Sequence, residues 1–279
     1  MEKLNLSNPT LRLKKVARFH KMFYIDSHCH LTDKRYSSPE SVVKSAENEK
    51  VRLFIDVGWN YESTECARRN AQNFDGVFYS AGIHPSESLK YTDEQLNGIS
   101  CFLNDEKCVA VGEIGLDYHY DDTDKPSQKE LFEKQILMAN ERNVPFIVHS
   151  RDASADMLDV LSLYKDKINN GFLMHCYSES KEQAKRYLDL GAYFAFGGVV
   201  TFKNSKKDDV VRSIPLNRLL AETDSPYMAP EPFRGSLNEP KNVVYVYKKM
   251  AEILGTDEEV LKRNFYDNFL RLFTKIVVR

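Results

Sequence analysis

No apolar run in this 279-residue chain approaches the roughly 18 residues that a membrane-crossing helix needs. The five cysteines are odd in number and lack paired spacing, which suits a reducing compartment better than a disulfide framework. Net charge is only −2, so no global positive field draws the chain to nucleic acid. A polyanionic substrate would need a local basic patch or bound metal ions. The amino-terminal stretch has no apolar core of a secretory signal. No internal repeat and no low-complexity linker interrupts the sequence. No glycine-rich phosphate loop follows the first apolar run, which counts against a doubly wound dinucleotide-binding sheet.

What is present is ordinary in bulk and patterned in detail. Hydrophobic residues make up 42% and charged residues 29%, as in soluble globular proteins, and the length suffices for a substantial core. Residues 1–22 carry Lys3, Arg12, Lys14, Lys15, Arg18 and Lys21 against Glu2, and read as a loosely held basic extension. Residues 23–279 read as one domain. Eight strand-like runs, at 23–26, 53–57, 77–83, 108–114, 145–149, 171–176, 192–197 and 218–224, alternate with segments of helical period. Helix starts are expected at Ser38-Pro39-Glu40, at Thr92 with Gln95, and at Ser178-Glu179. From Glu239 onward only helix is expected. Alternating strands and helices imply parallel pairing through right-handed crossovers. Count and length fit a (β/α)8 TIM barrel, typically about 250 residues.

The polar residues that end these runs are not random. Run one ends in Asp26, His28 and His30, run three in His84 and run four in Glu113. Runs five, six and eight end in His149, His175 and Asp224. In a parallel barrel these ends share one face, where active sites of such barrels lie. Five of the seven histidines therefore fall on one rim. Side chains two apart on a strand share a face, so His28 and His30 aim together while Cys29 turns away. By the same alternation Cys176 is expected to turn away as a small buried hydrophobe. Four imidazoles and two carboxylates exceed one tetrahedral ion, because catalytic zinc commonly has three protein ligands and a water. They suit two ions about 3.5–4 Å apart with a bridging carboxylate. Asp26 is expected to orient a ligand histidine. The mixed nitrogen and oxygen donors suit Zn, Mn, Fe or Co better than Ca or Mg.

The segments IDSHCHL, AGIHP, VGEIGLDYH, PFIVHSRDA, MHCYS, LLAETDSPY, RGSLNEP and NFLRLF, in this order, resemble the TatD-type metal-dependent deoxyribonucleases. That family is a TIM-barrel branch of the amidohydrolase-like hydrolases, and the similarity runs from Phe23 to about Phe273. The resemblance implies His28, His30 and Asp224 at one ion, His149 and His175 at a second, and Glu113 between them. It implies His84 beside the scissile phosphate, two divalent ions (Mg, Mn or Zn), and a cytoplasmic, monomeric 3′–5′ exonuclease acting on DNA, single strands or 3′ ends. Asp224, Glu113 and His84 are the expected catalytic residues. Arg151 and Arg234 are candidates for phosphate contact and Tyr118, Tyr227 and Phe233 for base stacking. Leu237 stands where the family often has a basic residue before NEP. Two other readings fit the same donors: a dinuclear amidohydrolase acting on a small amide or ester, and a non-catalytic, metal-bound nucleic-acid-binding protein.

Overall fold

The computed structural model of the chain describes residues 22–278; the basic extension expected at 1–22 falls outside this range save for its last residue. Eight strands form one sheet in strictly sequential order: β1 (Tyr24–Cys29), β2 (Val51–Val57), β3 (Val77–Ala81), β4 (Cys108–Asp117), β5 (Phe146–Arg151), β6 (Phe172–Met174), β7 (Ala192–Phe196) and β8 (Leu219–Ala221). Each of the seven neighbouring pairs is parallel. Strands buried on both faces read as apolar runs rather than alternations, and all ten residues of β4 are buried. The sheet curls until Cys29 bridges Ser225 in parallel sense. Across that seam His30 N–H donates to the Ser225 carbonyl at 2.8 Å, and Asp224 N–H to the His28 carbonyl at 2.9 Å. The architecture is a nearly closed, single-domain (β/α)8 barrel.

The main helices are α1 (Pro39–Asn48), α2 (Tyr61–Asn73), α3 (Asp93–Phe102), α4 (Lys125–Glu141), α5 (Ser154–Leu163), α6 (Lys181–Asp189), α7 (Asp208–Ser213), α8 (Val243–Leu254) and α9 (Glu258–Leu272). At six of these nine starts a side-chain oxygen accepts a free N–H group, each such cap being worth about 1 kcal/mol. Ser38 caps α1 ahead of Pro39, and Thr92 with Gln95 forms a capping box at α3. The start expected at Ser178-Glu179 lies two residues later, where Ser180 Oγ accepts the Gln183 N–H. Glu179 has other partners, the hydroxyls of Ser150 and Tyr187.

The carboxy-terminal helices brace the strands that carry the site. Tyr247 of α8 donates to the Ile25 carbonyl and accepts the Ile25 N–H. Asn268 of α9 donates to the carbonyls of Leu216 and Leu219, just before and within β8. No helix among the described residues is long and apolar enough to cross a membrane.

Candidate metal centre

Glu113 is the centre of the donor cluster, and the chain around it explains its position. It lies in a register irregularity of β4 against β5, between Val111 and Ile114. Flanking glycines allow this close approach. A Cβ on Gly112 would sit 2.8 Å from Ile147 Cβ, and one on Gly115 would sit 2.1 Å from the His149 carbonyl oxygen. Both glycines also have positive φ, +153° and +139°. The side chain is buried and its two oxygens face different partners. Oε1 lies 2.9 Å from His149 Nδ1, 2.9 Å from His175 Nε2 and 3.9 Å from His84 Nε2. Oε2 lies 3.5 Å from His28 Nε2 and 4.0 Å from His30 Nε2. Burial alone would raise the Glu113 carboxyl. The imidazoles of His175, His149 and His28 gathered around it outweigh burial and hold the carboxyl well below its usual range.

The donors fall into two sets that share Glu113. In the first, His28 Nε2 is 3.3 Å from His30 Nε2, and Asp224 Oδ1 lies 3.7 Å and 3.5 Å from those two nitrogens. Ligands about 2.1 Å from a tetrahedral ion lie about 3.4 Å from one another, so this spacing admits a cation with little movement. His30 Nδ1 is 3.0 Å from the Val57 carbonyl. A carbonyl only accepts, so Nδ1 carries the proton and Nε2 offers its lone pair to the cleft. The second set is Glu113, His149 and His175, and its 2.9 Å separations are hydrogen-bond distances. An opening of about half an ångström would bring them to ligand spacing. Behind it, His175 Nδ1 lies 3.3 Å from Glu222 Oε1, and His149 Nε2 lies 3.1 Å from Asp117 Oδ2. Buried carboxylates and imidazoles with converging lone pairs fit a divalent metal.

The elements differ in how they deliver these groups. His28 lies in β1, His149 in β5 and Glu113 in β4. His30, His84, His175 and Asp224 lie just past their strands, so the alternation of a regular strand does not orient them. Asp224 has φ of +51° and Cys176 has φ of +45°. That turn brings Cys176 to the wall of the cleft, against the expectation that it would face away. Burial pushes its thiol up to about 12, so it remains a thiol at neutral pH. Its N–H donates to Glu222 Oε1 at 2.6 Å, whereas the buried Glu222 Oε2 has no hydrogen-bond partner among the described residues. Asp26 does act on a histidine, but through the main chain rather than the ring. It accepts the N–H groups of His28 and Thr223 and the Thr223 hydroxyl, tying β1 to the segment after β8. Burial raises the Asp26 carboxyl well above its usual range.

His84 has a defined tautomer. The Ser86 N–H donates to its Nδ1 at 3.1 Å, so Nε2 carries the hydrogen and faces Glu113 and His149. Burial and then the neighbouring His149 push its pKa down to about 3, so the ring is neutral at physiological pH.

All of these donors except fully buried His28 line a cleft of about 800 Å³. Arg151 and Tyr227 are part of its wall, as the sequence suggests. Tyr118, Phe233 and Arg234 are not. The Tyr118 hydroxyl donates to Asp156, Phe233 packs edge-on against Tyr245, and Arg234 lies over the Phe202 ring. Among the wall residues that the sequence did not single out are Trp59, Arg35, Lys207 and Asp117. Trp59 follows β2 and meets His30 edge-on. Arg35, held by Asp33, lies 4.4 Å over the Tyr227 ring. Asp117 alone had a visible signal, four residues after Glu113 on the same strand. The NEP segment is structural: buried Asn238 donates to the carbonyls of Thr223 and Tyr227 and so fixes the loop that presents Asp224. Leu237 beside it is 41% exposed and outside the cleft wall.

Comparison with known proteins agrees with this geometry. The family profile described as "TatD related DNase" matches residues 25–274. The chain is 40% identical over 250 residues to the uncharacterized metal-dependent hydrolase YabD of Bacillus subtilis, covering 89% of this chain and 98% of that one. It is 40% identical over 259 residues to the uncharacterized metal-dependent hydrolase YcfH of Escherichia coli, covering 90% and 96%. Among solved structures, the TatD homologue YjjV of Escherichia coli superposes with a TM-score of 0.85 at 30% identity, covering 90% of this chain and 98% of that one. Barrel, buried donor cluster and full-length similarity together identify the chain as a member of the TatD-related DNase family of metal-dependent hydrolases.

Proposed function

We propose that this protein hydrolyses phosphodiester bonds of DNA, removing nucleotides from a 3′ end, with two divalent ions held by the two donor sets. The observation that carries this reading is the arrangement of Glu113, whose two oxygens address two sets of imidazoles at the floor of one cleft. His28, His30 and Asp224 would hold one ion, His149 and His175 the other, and Glu113 both. Such a pair of ions supplies a nucleophile at neutral pH and offsets charge on both oxygens of an in-line displacement. The cleft wall suits a nucleic-acid strand, since cations and aromatic rings are interleaved there, as on single-strand-binding surfaces.

The chain's own residues then have distinct tasks. Asp224 orients the attacking water and takes its proton, the role of a general base. Its Oδ1 lies 3.5 Å from His30 Nε2 and 3.7 Å from His28 Nε2, at the cleft floor where a water would be held. His84 presents a neutral Nε2–H to an oxygen of the scissile phosphate. Arg151 and Lys207 contact flanking phosphates. Lys207 is anchored by a hydrogen bond to the Ser178 carbonyl. Tyr227, with Arg35 stacked on it, and Trp59 supply faces for unpaired bases. The 3′ polarity is carried over from the family.

The test is cleavage of a short single-stranded DNA labelled separately at each end, with Mg²⁺, Mn²⁺, Zn²⁺ or EDTA. Metal-dependent laddering of the 5′-labelled strand with immediate loss of the 3′ label is expected. Absence of cleavage with every metal, alongside hydrolysis of small amides or esters, overturns it.

A further inference from the structure

His149 meets a carboxylate on each side of its ring. Nδ1 faces Glu113 Oε1 at 2.9 Å, and Nε2 faces Asp117 Oδ2 at 3.1 Å. Asp117 is the last residue of β4 and is held on three sides. Its N–H donates to Gln128 Oε1 at 2.8 Å, and its carbonyl accepts from Gln128 Nε2 at 3.1 Å. Its Oδ1 accepts the His119 N–H at 3.0 Å, which leaves Oδ2 aimed at the His149 ring.

A carboxylate presented to an imidazole favours a proton on the facing nitrogen, and with Glu113 engaged by an ion Asp117 is the carboxylate left to hold that proton, on Nε2. With the proton on Nε2, the lone pair of His149 lies on Nδ1, toward Glu113 and His175. Only that tautomer offers a neutral donor to an ion in this set. His84, Asp117 and His149 also lie close enough to suggest an ion site of their own. The hydrogen bonds oppose it. His84 Nδ1 accepts the Ser86 N–H, so its Nε2 has no lone pair to give, and His149 Nε2 is committed to Asp117.

We propose that Asp117 is a positioning residue: it fixes His149 with Nδ1 free and so sets the affinity of the Glu113–His149–His175 set for its ion. This rests on the two-ion reading above. Carboxylates placed behind a metal-bound histidine fix its orientation and raise its basicity, and losing one typically costs about 10- to 100-fold in metal affinity or activity. The arrangement is asymmetric between the two sets. His30 is backed by a neutral carbonyl, and His28 Nδ1 has no hydrogen-bond partner among the described residues.

The full-length protein, stripped with chelator, is titrated with Zn²⁺ by calorimetry, and Co²⁺ absorption reports the coordination. Asp117→Asn is compared with wild type, with His149→Ala and with the double variant. Asn keeps the acceptor for the His119 N–H, but turns an amide N–H or a weaker acceptor toward the ring. The expected result is one of two binding events weakened about 10- to 100-fold, the other unchanged. The Co²⁺ spectrum of the weakened event changes, and Asp117→Asn adds no further loss in the His149→Ala background. Unchanged binding of both ions in Asp117→Asn overturns the proposal, as does an equal loss when His149 is already absent. Wild type binding a single ion defeats the two-ion reading instead, and the same cycle then decides whether Asp117 acts on that ion through His149. If Asp117→Asn does not fold, ¹⁵N-histidine NMR of metal-loaded wild type reads the tautomer directly. A proton on Nδ1 of His149 overturns the proposal.

Discussion

Replacing Gly115 by alanine tests the idea that glycine shapes the centre by letting two strands touch. The added Cβ would meet the His149 carbonyl oxygen at 2.1 Å and its carbonyl carbon at 3.0 Å, both main-chain atoms that cannot swing aside. Gly115 and His149 are paired in register, so relief requires β4 and β5 to part by on the order of 1 Å beside the donor set. Overpacking of this kind costs about 1–3 kcal/mol. Holding a side chain at φ of +139° adds a further strain of about 1–3 kcal/mol. Gly235→Ala is the matched control. It has φ of +89° with nothing within 4 Å of the added carbon, so it carries the strain alone. Equilibrium urea unfolding, followed by circular dichroism in EDTA, should show Gly115→Ala losing about 2–6 kcal/mol, at least twice the control. Zn²⁺ affinity should fall with it, because His149 moves relative to Glu113. Equal losses in the two variants would refute the close-approach reasoning.

Four further outcomes are expected. Asp224→Ala should lower kcat by at least about 10²-fold, the contribution of a positioned general base, with an unchanged circular-dichroism spectrum; full activity would remove Asp224 from the reaction. EDTA should lower the melting temperature, since an ion present at 100 times its Kd adds about 2.7 kcal/mol, or about 5 °C for a domain of this size; scanning calorimetry measures it. Arg151→Ala should raise KM for oligonucleotides several-fold with kcat nearly kept, as removal of uniform binding does; a steady-state assay that finds kcat lost and KM kept would move Arg151 into the reaction itself. Buried Asp56 gives a pH signature: burial pushes its carboxyl up to about 6, despite hydrogen bonds from Asn70 and the Leu31 N–H. The folded state then holds that proton more tightly than the unfolded chain. Asp56 therefore favours folding most below pH 4, and that contribution is lost as pH rises through 6. Urea unfolding in EDTA should show Asp56→Asn gaining on wild type by roughly 2–3 kcal/mol between pH 4 and pH 7; a constant difference would refute the assignment.

The rim histidines were legible because a parallel barrel leaves few places for a polar residue to end an apolar run. All eight strand positions follow from runs that must be buried on both faces, and once the ends are aligned, His28, His30, His84, Glu113, His149, His175 and Asp224 share a face. The interior alternation was less informative. It holds for His28 and Cys29 even though β1 shifts register against β2 there, and fails for Cys176, because a positive-φ turn after a three-residue strand re-aims the side chain. Tyr118 illustrates another limit. It lies one residue past β4 and looks like a rim aromatic, but Asp156 of α5 and Lys125 of α4 hold it away from the cleft. Nothing local to VGEIGLDYH records those partners. Trp59 and Arg35 were missed for the converse reason, since each enters the cleft wall from a loop whose path depends on its neighbours.

By itself the sequence determined the fold class, the order of the strands, the helix starts at Ser38 and Thr92 and the identity of the donor side chains. These are short-range matters, set by burial periodicity, capping chemistry and which residues stop a strand. Only the tertiary structure decided the rest. It directed the two oxygens of Glu113 to different partners, set the proton on Nδ1 of His30 and Nε2 of His84, and placed Asp117 behind His149. Those outcomes depend on ångström-scale distances between strands remote in sequence, where hydrogen-bond geometry rather than residue type selects the chemistry.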